Sequence, residues 1–203
     1  MKSFAKLSKG ETPLWRGDKY QKSGILFIKS ENVLENNLKT GNPDYISEEV
    51  HKRMKRSQLK NGDVLLNIVG ASIGRCCVYD LQEEANINQA VCLIRLRQEI
   101  NSFWLSYLIN STPFQLILKQ NQSGGARDNI DLYQVRSLLI PLSSQETQNR
   151  IVSIMQSAYE QKKQKEQEAE IFLSSIDDYV LDELGIKLPT VRDRKCFVID
   201  AAP

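Results

Sequence analysis

The strongest constraint on the fold is the stretch from Gln145 to Gly185, which holds no proline and no glycine before its last position. Steps of four and three from Ile151 land on Met155, Ala158, Lys162, Lys165, Ala169, Phe172, Ile176 and Tyr179. This is a heptad-like seam, apolar at both ends and polar where KKQKEQE crosses it. Ser143 and Glu146 have the spacing of a capping box, and Pro141 precludes a start much earlier. Gly185 is placed to end the helix in a left-handed conformation, with Pro189 shortly after it. A continuous helix of this length would span roughly 60 Å at about 1.5 Å per residue. A small domain cannot cover such a rod, so the seam residues Ile151, Met155, Ala158, Phe172, Ile176 and Tyr179 are expected to meet a partner helix. The competing expectation is a long surface helix packed on its own domain.

Upstream of the helix, short apolar runs alternate with turns. Gly24 to Lys29, Asp63 to Val69, Cys76 to Tyr79 and Ala90 to Arg97 read as strands. A helix is expected from Ser47, with Glu48 and Glu49 in its first turn. Phe103 to Asn110 and Pro113 to Lys119 read as amphipathic helical pieces, with Thr112 as N-cap and Pro113 following. Residues 9–18 and Gly41 to Tyr45 are turn-rich, and SLLIPL (137–142) is expected as a last strand feeding the long helix. The fold class is therefore α+β: a mixed α/β domain over 1–142, a long coiled-coil-forming helix over 143–185, and a tail over 186–203.

Composition excludes several classes. No apolar run approaches the twenty residues of a membrane span, and MKSFAKLSKG lacks the apolar core of a signal peptide, so a soluble cytoplasmic protein is expected. Cys76, Cys77, Cys92 and Cys196 show no C-x2-C spacing, and with one histidine in the chain no metal site is expected. No phosphate-loop motif is present. GASIGR (70–75) has the wrong glycine spacing for a dinucleotide turn and leads into a strand. Asn42-Pro43-Asp44-Tyr45 resembles the N-P-P-Y of adenine methyltransferases, but its third residue is acidic and no glycine-rich cofactor loop precedes it. His51 lies among lysines and arginines without a nucleophile beside it. Neither a cofactor nor catalysis is expected.

The net charge of +2 hides an asymmetry. Residues 1–140 carry 19 Lys and Arg against 14 Asp and Glu, while residues 141–203 carry 8 against 11. A basic domain followed by a slightly acidic helix fits nucleic acid for the first and protein for the second. Lys52, Arg53, Lys55, Arg56 and Lys60 could form a phosphate-contacting face, and Lys19, Tyr20 and Lys22 offer a second basic stretch around an aromatic ring. Short polar and cationic side chains on turns (Ser72, Arg75, Asn88, Gln89, Arg127 and Asn129) are of the types that read base edges. The plain alternatives are solvated helix faces for the basic runs and loop hydrogen bonding for Asn88 and Gln89.

GETPLWRGDKYQKSGILFIKSENV, GDVLLNIVGASIGRCCVY, ANINQAV, SGGARDNI, and LIPL followed by QETQNRIV resemble, in order and spacing, the specificity subunits of type I restriction-modification systems. That resemblance implies a target recognition domain, and double-stranded DNA as ligand. It also implies methyltransferase (modification) and restriction subunits as partners, with no chemistry in the specificity subunit itself. A complete subunit of that family has two recognition domains and two antiparallel helices, whereas this sequence shows one of each. RDRKCFVIDAAP resembles the opening of a second domain. The expectation is a natural half-subunit, a truncation or an N-terminal fragment; a half-subunit could restore the layout as a homodimer through the long helix. The alternative expectations are a coiled-coil interaction protein that binds no DNA and, behind it, a stand-alone methyltransferase.

Overall fold

The computed structural model describes residues 5–13, 17–97, 100–120 and 129–185. Arg127, the glycines of SGGAR and the tail over 186–203 lie outside them. The chain divides into two compact units, Met1–Ile154 and Met155–Pro203.

The first unit is layered around a four-stranded antiparallel sheet in the order β1-β9-β6-β7. Its strands are β1 (Ala5–Lys9), β6 (Asp63–Asn67), β7 (Cys76–Tyr79) and β9 (Val91–Leu96). Every residue of β6 is buried, because both faces of the sheet are covered. Alternation along the strand sorts its side chains. Val64 and Leu66 join Cys76, Cys92, Ile94, Trp104, Leu105 and Ile109 on the helical side. Leu65 joins Cys77, Tyr79, Leu93, Ile28 and Ile87 on the other. A strand buried on both faces reads as an unbroken apolar run, which is why DVLLNIV was legible as one. Each such side chain contributes on the order of 1.5–3 kcal/mol on burial.

The helical side is built from α2 (Ser102–Asn110), α3 (Thr112–Gln120) and α4 (Leu132–Ser137). On the opposite side, a second sheet runs β5-β2-β8, where β2 (Ile25–Ile28) pairs antiparallel with β5 (Asp44–Ile46) and parallel with β8 (Ala85–Ile87). The small hairpin β3 (Val33–Leu34) and β4 (Asn37–Leu38) packs by β7. Helix α1 (Glu48–Arg53) starts at Ser47, whose hydroxyl accepts from Val50 N–H. Phe27, Ile46, Val50 and Met54 form a third small core beneath α1.

Several elements depart from the sequence-based expectation. SLLIPL is not a strand: Ser137 ends α4, and the rest is irregular, with Leu139 89% and Leu142 57% exposed. Pro141 has no N–H for a ladder, and only Leu138 of this run is buried. Helix α4, unforeseen, starts with a complete capping box between Asp131 and Gln134. Strands β1, β5 and β8 were also unforeseen, β5 falling partly in the expected turn at Gly41 to Tyr45. Helix α3 begins at Thr112 itself, and Gln115 N–H donates to Ser111 O at 3.0 Å.

The long helix is present but interrupted. Helix α5 spans Gln145–Ser174 and α6 spans Ile176–Glu183. Its cap is Ser144, whose hydroxyl accepts from Thr147 N–H at 3.3 Å, and not the expected Ser143. The break falls on a serine pair: Ser174 Oγ donates to Ile171 O and Ser175 Oγ to Phe172 O. Such back-bonding competes with the backbone ladder and loosens it. Gly185 ends the segment at φ +64, as its position foretold.

Candidate nucleic-acid interface

The two basic stretches, thirty residues apart in sequence at their nearest (Lys22 and Lys52), meet around α1. Arg53 pairs with Asp18, which ties the Lys19–Lys22 segment to the helix. Tyr20 leans on Phe27 with ring centroids 5.4 Å apart, and Lys29 Nζ lies 5.8 Å from the Tyr20 ring centre. Burial raises the Tyr20 phenol above its ordinary value. Burial pulls the Lys29 ammonium down, but hydrogen bonds to Asp44 and Glu31 outweigh it and hold the group at about 12. Tyr20 is thus half-buried as a prop, while Lys19 and Lys22 are exposed.

Beyond α1 the chain makes one 3₁₀ turn over Lys55–Ser57, fixed from below. Asn86 Nδ2 donates to Met54 O at 3.0 Å and to Ser57 Oγ at 2.7 Å, and Ser8 Oγ donates to Arg56 O at 2.7 Å. These anchors hold Lys55 and Arg56 outward. With Lys9, Glu11 and Arg53 they line a cleft of about 220 Å³. Lys52 is exposed and pairs with Glu48 one turn back at 3.2 Å. His51 Nδ1 stands 2.6 Å from Asn86 Oδ1, so the single histidine is part of the same scaffold.

The remaining residues fall elsewhere. Lys60 precedes β6, whereas Ser72 and Arg75 lie in the β6–β7 turn at its far end, roughly 16 Å away by strand rise. That turn is organised by Asn67, fully buried, whose Nδ2 donates to Ser30 O, Val33 O and Ser72 Oγ. Arg75 is exposed. Asn88 accepts from Ala90 N–H at 3.1 Å and donates its own N–H to Ile28 O. Gln89 accepts from Thr12, which places it beside the Lys9–Glu11 segment. A Cβ on Gly10 would run into the Ile87 carbonyl, so only glycine lets that segment pass so close. Asn129 bridges Val69. Lys9 and Glu11, contributors to the cleft, had no signal in the sequence. They sit 42 and more residues from Arg53 and meet it only through the sheet.

The thiols among the described residues lie away from this surface. Cys76, Cys77 and Cys92 are buried and free. Burial pushes all three up, Cys77 and Cys92 to about 12 and Cys76 well above its ordinary value. Among the described residues, no group of three or more His, Cys, Asp or Glu is placed to hold a metal ion. No described helix is long and apolar enough to cross a membrane.

Residues 1–173 match the family described as the type I restriction modification DNA specificity domain. The chain belongs to that family. It is 31% identical over 134 residues to the EcoBI specificity subunit of Escherichia coli, a type I restriction enzyme component. That alignment takes in 64% of this chain and 28% of the relative. Solved structures share the fold. A chain from a study of complex assembly and conformational transition in the type I R-M system superposes with a TM-score of 0.64 at 20% identity. The HsdS subunit of Thermoanaerobacter tengcongensis gives 0.59 at 21% identity, and the S subunit of M. genitalium gives 0.57 at 17%. These superpositions cover 87–90% of this chain and 42–43% of theirs, so the chain spans less than half of the relatives it matches.

Proposed function

We propose that this specificity-family chain reads a short stretch of double-stranded DNA and guides methyltransferase and restriction subunits to it, with no catalytic step of its own. The observation that carries the reading is the convergence of Lys9, Arg53, Lys55 and Arg56 on one cleft, with Lys52 exposed on α1 beside it and Lys19 and Lys22 tied in by the Asp18–Arg53 pair. Charges held outward by buried anchors suit phosphate oxygens, which set register without reading sequence. Base reading falls to side chains on the loops at the strand ends, Ser72, Arg75, Gln89 and Asn129, and to Arg127. Asn88 and Lys60 act from the flanks of this surface. The long helix is the spacer and the docking arm, and it pairs two copies when no second recognition domain is supplied in the same chain.

The test is a salt titration of duplex binding by the pure chain. Replacing Lys52, Lys55 and Arg56 with Gln is expected to weaken specific and random duplexes alike and to flatten the slope of log K against log salt by about 0.9 per lost contact. Arg53 is left in place because its loss would also free Asp18. An unchanged slope would move the DNA surface away from α1. Methyl transfer from S-adenosylmethionine by the same preparation would overturn the non-catalytic assignment. The exposed apolar face of α5 and α6 favours a second reading, an interaction protein that binds no DNA. Absence of any salt-dependent duplex binding would select it.

A further inference from the structure

A second basic cleft lies at the other end of β1. It measures about 470 Å³ and is lined by Ala5, Lys6, Leu7, Arg97 and Arg136. Three cations therefore come together from β1, from the residue just past β9 and from α4. Strand β1 is the terminal strand of its sheet, and it joins this cleft to the one formed by Lys9, Arg53, Lys55 and Arg56. Lys6 and Ser8 share one face of β1 by alternation, and Ser8 is hydrogen-bonded to Arg56 O, which carries the basic surface along the strand. Lys9 falls on the opposite face of β1 from Lys6 by alternation and reaches the first cleft from the end of the strand, so the surface runs from Lys6 past Ser8 to the 3₁₀ turn. A duplex advances about 3.4 Å along its axis per nucleotide, so clefts separated by three residues of strand, about 10 Å, fall a few nucleotides apart.

We infer that the β1 edge is a backbone-tracking surface, on which Lys6, Arg97 and Arg136 hold phosphates of the same duplex a few nucleotides beyond those held at Lys9, Lys55 and Arg56. This rests on the DNA-binding function proposed above. Lysines on a terminal strand also guard against edge-to-edge pairing. That role accounts for Lys6 and Lys9, but not for Arg97 and Arg136, which reach the cleft from other elements.

The experiment compares two triple variants by fluorescence anisotropy over a salt series with a random-sequence duplex. One carries Lys6→Gln, Arg97→Gln and Arg136→Gln; the other carries Lys162→Gln, Lys163→Gln and Lys165→Gln on α5, an equal loss of charge. The β1 variant is expected to lower the salt slope by about 2 to 3, at about 0.9 per contact, and the α5 variant by less than 1. Equal changes in both would reduce the effect to net charge and overturn the inference, as would an unchanged slope in the β1 variant, with or without new aggregation. Should the triple variant unfold by circular dichroism, Lys6→Gln and Arg97→Gln alone are each expected to cost about 0.9 in slope. No salt-dependent binding by the unmodified chain would overturn the functional reading itself; normal binding with an unaltered β1 variant would overturn only this assignment.

Discussion

Gln148 carries a structural duty that its place in a polar helical turn hides. It is 3% exposed, accepts from Asn101 N–H at 3.0 Å and donates to Ser143 O at 3.0 Å. Asn101 is also the N-cap of α2, so one amide fastens the first turn of α5 to the start of another helix. Val152, one turn on, is buried beside it, while Ile151 stays exposed. Gln148→Ala strips a partner from two backbone groups at once. The expected loss is about 1–3 kcal/mol in urea denaturation, since an orphaned buried group costs more than a hydrogen bond contributes. A change within about 0.5 kcal/mol, the usual range for surface positions, would show that water replaces the amide freely. Asp63 does similar work, holding Arg95 Nε at 2.8 Å and raising that guanidinium above its ordinary value chiefly through the hydrogen bond. Nothing local in the sequence marks either residue, because Arg95 and Asn101, the partners that tie them to distant elements, lie 32 and 47 residues away.

At the scale of elements, the serine pair between α5 and α6 is the feature with a consequence that can be measured. Ser175 N–H is shared between Ile171 O at 3.1 Å and Phe172 O at 3.2 Å, while the hydroxyls bond back three residues. Alanine at both positions removes the competing acceptor contacts and has the better helix propensity, by roughly 0.5 kcal/mol per site. Ser174→Ala with Ser175→Ala is expected to raise helicity by circular dichroism and to slow amide exchange at Ser175 to Tyr179 positions. Exchange as fast as before would trace the break to something other than the serines. The elements legible in the sequence were those with a strong single cause. Strands β6, β7 and β9 are apolar runs buried on both faces, and α1 carries its own cap and charge pattern. Strand β1 hid because AKLSK buries only Ala5 and Leu7 and shows two lysines. SLLIPL misled because an apolar run does not say which of its leucines will be covered. The candidate site follows the same logic: contiguous basic runs stand out in the sequence, but Lys6 of β1 meets Arg97 and Arg136, and Lys9 meets Arg53, only after the sheet forms.

At the scale of the whole molecule, the apolar positions along α5 and α6 are left uncovered within one chain's described residues. Phe172 is 75% exposed, Ile176 53% and Tyr179 65%, with Ile151 at 38% and Ala158 also exposed; Met155 is half-buried. In a parallel pair Lys162 and Lys165 would face their own copies, a like-charge contact that costs stability. Reversing one helix about a centre near Lys163 brings Ile151 close to Ile176, Met155 close to Phe172 and Ala158 close to Ala169. The lysines are already engaged in that arrangement, Lys162 with Glu166 at 3.6 Å and Lys165 with Glu168 at 2.7 Å, so repulsion at the crossing is blunted. Ile151, Met155, Phe172 and Ile176 of two helices give eight side chains at roughly 1.5–3 kcal/mol each when fully buried. Against them stands an association cost of about 4–15 kcal/mol, so a dimer is within reach. On the proposed reading, antiparallel pairing would give a dimer two recognition domains for a two-part site. Ile151→Asp with Phe172→Asp is expected to give a monomer by analytical ultracentrifugation, with an unchanged circular dichroism melt for the domain. Its affinity for a single half-site should be retained and its preference for a paired site lost. An unmodified chain that sediments as a monomer at micromolar concentration would instead assign the seam to a different protein.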